Sequence, residues 1–350
     1  MKVLIVLQLL THVSIILVSS VPQNLNKKIR QMITDDGYPF EEYNLKTQDG
    51  YFLKIHRIPG GNGEKINKIQ RNKPIAYLAH ALTQSSIDWV STGRNVSLAY
   101  LLADKGFDVW LGNNRGTIFS QKHQTYSTMS SSFWNFSWHE SGVIDMPETI
   151  DFILNRTGKS ELFLVCYSQS CTQLVVMGSL KPEYNKKITL ALNMAPPVFF
   201  GHSKGLGWLI LRTLDRFISE VLKREALYIP GGCSSKQFMH YNFGKNAPGT
   251  FRQYDYGKSE NMRIYNSTIP PDYPLEKVTV PIAIFQGLQD FLVSPEDVDM
   301  LVEKLPNVVY RKKFKKFNHL SFTITKGLRT LVYEKIADLF ISYRMNKTFN

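Results

Sequence analysis

Glu161-Leu-Phe-Leu-Val-Cys-Tyr-Ser-Gln-Ser-Cys-Thr-Gln173 reads as an apolar strand that runs into a serine and then into a helix. The serine is Ser168. A strained strand-to-helix turn that presents a nucleophilic serine carries the pattern G-x-S-x-G, because the glycines let strand and helix pack closely around the raised hydroxyl. Here Cys166 and Ser170 stand at the two glycine positions, so the reading depends on the chain around them.

Working outward, strands and helices alternate. Pro74 to Ala79 is a short continuous apolar run of the kind found in a central parallel strand, and it ends in His80-Ala81-Leu82. Val96 to Ala103 has helical spacing, Phe107 to Leu111 is the next strand, and Gly112-Asn-Asn-Arg-Gly116 leaves it. Ser141 to Leu154 predicts a helix, followed by the strand Leu162 to Cys166, a helix from Gln169 towards Leu180, and a strand at Ile188 to Asn193. This interval predicts an α/β fold with a mostly parallel central sheet and helices on both faces. Ahead of it, two alternating runs around Asp49-Gly50 predict a hairpin.

The alternation stops at Pro196-Pro197. Val198 to Glu276 holds amphipathic pieces such as Leu206 to Leu222, loops and many aromatics, and reads as an insertion. Alternation resumes with a strand at Val280 to Phe285, a helix at Pro295 to Lys304, a strand at Val308 to Phe314 and a closing helix at Leu328 to Ile341. The chain therefore divides into a leader (1–20), a core (21–197 and 277–350) and an inserted cap (198–276). The cap is expected to lie over Ser168 and to form an apolar pocket there.

The 350 residues are 43% apolar, enough for a sizeable core. Met1-Lys2, the apolar run Val3 to Val18 and then Ser19-Ser20 read as a signal peptide, and no later stretch is apolar enough for a transmembrane segment. Sequons at Asn95, Asn135, Asn155, Asn266 and Asn346 agree with passage through the secretory pathway. Three cysteines, Cys166, Cys171 and Cys233, cannot build a disulfide scaffold; at least one must stay free or pair with another chain, and Cys166 and Cys171 are expected to be buried thiols. The net charge of +13 peaks at Arg311-Lys-Lys-Phe-Lys-Lys316, but no zinc finger, RNA-binding signature or basic repeat accompanies it, which argues against nucleic acid. His56, His123, His139, His202 and His240 show no metal-ligand spacing, so no metal site is expected.

A serine hydroxyl needs a base, and the base needs an acid partner to hold its tautomer. Asp290 follows the strand ending at Phe285, and His319 follows the strand ending at Phe314. The order Ser168, Asp290, His319, each after a strand, fits a nucleophile, acid and base. Two backbone N–H donors for an oxyanion fall at Gln169 and at Leu82, while His80 is expected to be a structural histidine. Ser168 Oγ should lie within hydrogen-bond reach of His319, whose other nitrogen should face Asp290.

Several stretches carry a resemblance: Gly37-Tyr-Pro-Phe-Glu-Glu, Asp49-Gly-Tyr, Leu101 to Gly116, Phe133-Trp-Asn-Phe-Ser-Trp-His-Glu140, Tyr254-Asp-Tyr-Gly257 and Leu305 to Tyr310. Through them nearly all of the chain after its leader resembles the acid lipase family, which includes gastric and lysosomal acid lipases and insect lipases. The resemblance implies an α/β-hydrolase fold with a cap, and hydrolysis of acylglycerol or sterol esters without a cofactor. It matches Ser168, Asp290 and His319 to the triad, and Leu82 and Gln169 to the oxyanion hole. The partner implied is a lipid ester met at a transient lipid interface, in a secreted or lysosomal setting.

The departures lie in the site. The family has His-Gly-Leu where this chain has His80-Ala81-Leu82, and Gly-His-Ser-Gln-Gly where it has Cys166-Tyr-Ser-Gln-Ser170. Side chains in place of glycine are expected to press on neighbouring backbone, so restoring glycine should relieve contact and raise turnover. Two functions follow: a serine lipase or esterase working through an acyl-enzyme, or a lipase-derived lipid-binding or storage protein with little catalysis.

Overall fold

A computed structural model describes residues 25–65, 72–203 and 232–348. The expected leader and the amphipathic piece Leu206 to Leu222 lie outside the described residues. In chain order the principal elements begin with α1 (Leu25–Asp35), the hairpin β1 (Glu41–Lys46) and β2 (Phe52–Ile58), β3 (Ile75–Ala79), α2 (Leu98–Asp104) and β4 (Asp108–Leu111). Then come α3 (Met146–Thr157), β5 (Leu162–Tyr167), α4 (Gln169–Leu180) and β6 (Ile188–Met194). After these follow α5 (Ser235–Asn246), α6 (Lys258–Tyr265), β7 (Ile282–Gly287), α7 (Pro295–Lys304), β8 (Val308–Phe314) and α8 (Glu334–Thr348).

The strands form one eight-stranded sheet in the order β1-β2-β4-β3-β5-β6-β7-β8. β1 and β2, and β2 and β4, are antiparallel; every later pairing is parallel. β3, β5, β6 and β7 are buried along their whole length, as strands covered on both faces must be. Along β5 the pleat sends Phe163, Val165 and Tyr167 into the core layer that holds α2 and α8 residues such as Leu101 and Phe340. Leu162, Leu164 and Cys166 go into the opposite layer, with Ile150 of α3 and Leu174 of α4. β8 is one of the two edge strands, and its basic residues blunt that edge. Arg311 there donates to the Gln286 side chain and pairs with Asp299.

Two differences from expectation have local causes. The helix predicted over Ser141 to Leu154 begins earlier, at Trp138, where Ser137 and Glu140 form a capping box. It then widens into a π-turn at Ser141–Asp145 before α3. A Cβ on Gly142 would lie 2.8 Å from Val176, so this turn runs against α4 at a separation only glycine permits. The closing helix likewise starts as a π-turn at Arg329–Tyr333 and continues through α8 to Thr348, beyond the predicted Ile341. α1, a short and largely polar segment, buries Ile29 and Ile33 and packs Met32 against the core, a helix that the sequence reading does not include.

Candidate active site

Ser168 sits between β5 and α4 with φ +52° and ψ −118°, a conformation that costs a non-glycine residue about 1–3 kcal/mol. Thr83 and Ala195, in the loops after β3 and β6, also take positive φ. Outliers at three adjacent strand ends mark that end of the sheet as built for something other than packing. The turn at Ser168 is held by its own N–H donating to Met194 O (2.9 Å) and by Cys171 N–H donating to Ser168 O (2.8 Å).

Ser170, in place of the motif's second glycine, does not crowd this turn. Its hydroxyl accepts from Tyr167 N–H (2.8 Å) and lies 2.8 Å from Ala79 O and 3.0 Å from Tyr167 O, to which it can donate. It therefore ties the serine turn to the end of β3. Cys166 is fully buried in β5 and, like Cys171 and Cys233, is a free thiol. Burial pushes the Cys171 thiol up, with Cys166 beside it adding to the rise, and burial alone raises Cys233.

The structure brings Ser168, His319 and Asp290 together. His319 Nε2 is 2.8 Å from Ser168 Oγ, and His319 Nδ1 is 2.8 Å from Asp290 Oδ2. The other carboxylate oxygen, Oδ1, accepts from Leu292 N–H and Val293 N–H, each at 2.9 Å, which fixes the plane presented to the imidazole. His319 is held from behind by Tyr167, whose hydroxyl donates to His319 O at 2.8 Å. The loops bearing Asp290 and His319 are joined by Leu288 N–H to Phe314 O (3.0 Å) and Gln289 N–H to Phe317 O (2.9 Å).

Leu82 and Gln169 flank the serine, and among the described residues neither backbone N–H donates to a backbone acceptor. His80 braces the loop of Leu82. Its Nε2 accepts from Asn114 N–H (3.1 Å), which leaves Nδ1 as the donor to Ala81 O (2.8 Å). Burial lowers its pKa to about 4 and keeps the ring neutral, as a structural histidine requires. A cavity of about 250 Å³ opens over Ser168, with Leu82, Phe200, Phe238, Tyr241, Leu292 and Leu320 in its wall. A larger one, about 330 Å³, lies among Val198, Phe243 and Phe251 and touches neither Ser168 nor His319, so the smaller cavity is the candidate site.

Sequence reasoning missed the surrounding support. Tyr167, Asn114, Gln173 and Gln237 were not singled out. Only Ser234 and Gln237, spaced as a capping box, announce the start of α5 in sequence. Arg115, quoted only as part of a motif, is buried between Asp145 (2.8 Å) and Asp49 (2.6 Å) and lies over the Tyr51 ring.

Residues 29–93 match the family model described as a partial alpha/beta-hydrolase lipase region, and residues 77–225 match that of the alpha/beta hydrolase fold. The gastric triacylglycerol lipase of Mus musculus is 36% identical over 370 residues, covering 90% of this chain and 91% of its own. The Homo sapiens gastric triacylglycerol lipase is 35% identical over 360 residues, covering 89% and 90%. Lipase 1 of Drosophila melanogaster is 32% identical over 366 residues, covering 91% of this chain and 81% of its own. Among solved structures, the Pyrococcus furiosus esterase Pf2001 covers 89% of this chain and 93% of its own at TM-score 0.52 and 12% identity, a likeness of fold alone.

Proposed function

This chain belongs to the acid lipase family of the α/β-hydrolase fold, and we propose that it hydrolyses lipid esters, acylglycerols or sterol esters, through an acyl-enzyme on Ser168. That it is a lipase or esterase, a carboxylic ester hydrolase, follows from its relatives. The observation that carries the mechanism is the pair of 2.8 Å contacts on either side of the His319 ring.

His319 Nε2 takes the Ser168 proton as Oγ attacks the ester carbonyl. The oxyanion so formed is met by Leu82 N–H and Gln169 N–H, the latter at the first turn of α4, where the helix dipole adds to the donor. Collapse breaks the C–O bond, and His319 returns its proton to the leaving alcohol. Asp290 holds the imidazolium throughout. A water molecule, deprotonated by the same nitrogen, then attacks the acyl-serine and releases the fatty acid. Neither half-reaction calls for a cofactor.

The 198–276 insertion serves as the cap, a role supported by Phe200, Phe238 and Tyr241 in the wall over Ser168. Contact with a lipid surface is supported by three apolar side chains beside the site, Phe291, Leu320 and Ile324, which are 41%, 45% and 74% exposed. Secretion or lysosomal delivery after removal of 1–20 is supported by exposed sequon asparagines at Asn95, Asn135, Asn155 and Asn266; the Asn346 side chain lies outside the described residues. No helix of the described residues is long and apolar enough to cross a membrane.

The non-catalytic binding alternative has no observation in its favour, because a drifting pseudoenzyme has no reason to keep all three of Ser168, Asp290 and His319 in contact. The test is labelling with a serine-directed phosphonate. We expect stoichiometric modification at Ser168, ester hydrolysis by the unmodified chain, and loss of both in Ser168→Ala. A well-folded sample that takes up a fluorescent fatty acid but resists the phosphonate would overturn the reading.

A further inference from the structure

We infer that Gln237 is a positioning residue through which the cap helix α5 sets the geometry of the oxyanion donor at Gln169. The inference rests on the roles proposed above for Ser168 and Gln169. α5 meets the start of α4 at two points one turn apart. Gln237 Nε2 donates to Gln169 Oε1 at 2.9 Å, and Tyr241 OH lies 3.1 Å from Thr172 Oγ1. The partners are four residues apart on α5 and three apart on α4, so a single face of each helix is used.

Gln169 is held by its amide oxygen. Oε1 also receives Gln173 Nε2 from within α4, but at 3.3 Å. Gln237 thus supplies the shorter bond and the one that comes from another element. Behind it the chain of buried groups continues inward. Gln173 Oε1 accepts from Asn114 Nδ2 at 3.0 Å, and Asn114 N–H donates to His80 Nε2 in the loop of Leu82. The loop of Leu82, Gln169 and the cap are therefore joined by one hydrogen-bonded chain whose side chains, from His80 to Gln237, are all buried.

The amide of Gln237 cannot turn freely. Its Oε1 accepts from Ser234 N–H at 2.9 Å as the reciprocal half of the capping box that starts α5. The oxygen is committed to the cap, so the NH₂ group faces Gln169. One side chain starts the cap helix and steadies the residue whose backbone N–H would meet the oxyanion. Displacement of a reacting group by about 1 Å costs roughly a hundredfold in rate, so loosening this support should cost about tenfold.

Gln237→Glu separates the two jobs. Glutamate serves at the same position of a capping box, so α5 keeps its start, but an ionised carboxylate has no proton to give Gln169. For a short soluble ester at pH 8 we expect kcat and the rate of phosphonate labelling to fall about tenfold with KM little changed. The ratio to the wild-type chain at the same pH should recover as the pH is lowered and the new carboxyl gains a donor proton. Gln237→Met, which keeps the bulk and lacks a donor, should show a deficit that does not vary with pH. A Gln237→Glu variant equal to wild type at pH 8, or a deficit that pH does not move, overturns the inference. Should Gln237→Glu fail to fold, unchanged kcat in Gln237→Met overturns it instead. Failure of the wild-type chain to label at Ser168 removes the functional reading itself, which is a separate outcome.

Discussion

The turn carrying Ser168 and the loop carrying Asp290 treat glycine in opposite ways. At the serine turn two motif glycines have become Cys166 and Ser170, and both side chains are accommodated, one in the core and one by hydrogen bonds. At the acid loop Gly287 remains, and a Cβ built on it would lie 2.4 Å from the backbone oxygen of Phe317. A hydroxyl among backbone N–H and C=O groups finds partners, whereas a methyl against a carbonyl finds only overlap. What a motif glycine tolerates is set by the chemistry of the atoms its Cβ would meet.

The largest effect should come from breaking the rule where it is strict. Gly287→Ala pushes apart the loops of Asp290 and His319, which are bonded to each other through Leu288 and Gln289. Separation of the acid from the base by about 1 Å should lower kcat roughly a hundredfold. The overpacking should also cost about 1–3 kcal/mol in stability. Denaturant unfolding and ester hydrolysis measured on the same sample check both; an alanine variant of full activity would show that the loops have slack.

Restoring glycine at the serine turn tests the other side. Crowding predicts that Ser170→Gly raises turnover, but the hydroxyl's contacts predict a fall. The variant takes away the acceptor of the buried Tyr167 N–H and the tie to Ala79 O, and leaving a buried donor unmet costs about 1–3 kcal/mol. Glycine also frees the unfolded chain. We expect lower thermal stability and a several-fold loss in kcat, with Ser170→Ala intermediate in stability.

His80 is neutral and buried in the Leu82 loop. Burial depresses His80 to about 4, and likewise His56 and His240 to about 3. In the unfolded chain each titrates near 6.5, so between that value and its folded value the unfolded state holds more protons. Stability is then fully present above about pH 6.5 and is lost as pH falls towards 4, by about 1.4 kcal/mol per unit for each histidine once below its unfolded pKa. Urea midpoints at pH 7.5 and 4.5 should differ accordingly. A midpoint unchanged across that range would mean that other groups compensate.

How much of this was legible in the sequence follows from the range of the interactions. The buried strands announce themselves as continuous apolar runs, and Asp290 and His319 could be found because each lies just after a strand end. The sequence could not show what Ser170 does, since the acceptor at Ala79 comes from a strand 91 residues away in the chain. Nor could it show the π-turn before α3, which depends on Gly142 lying against Val176. The network from Asn114 to Gln237 is built from amides, the residue type with the least sequence pattern, joined across segments that only the fold brings together.

The smallest effect is expected at Cys166. Its side chain is fully buried in β5 among Leu164, Cys171 and Ala79, away from the reacting atoms, and β5 there pairs in parallel with Ala79 of β3 and Asn193 of β6. Cys166→Ala removes one sulfur from a packed layer, so stability should fall by about 1 kcal/mol, the cost of a small cavity, with kcat within twofold of wild type. Cys166→Gly adds the conformational cost of glycine inside a strand, about a further 0.5–1 kcal/mol, again without a specific effect on turnover. Because burial raises the Cys171 and Cys233 thiols and no thiol is exposed, iodoacetamide should leave the folded chain unmodified and active. A large loss of kcat in Cys166→Ala at unchanged stability would mean that the residue before Tyr167 shapes the turn after all. The first glycine of the motif would then matter here for the same reason as Gly287.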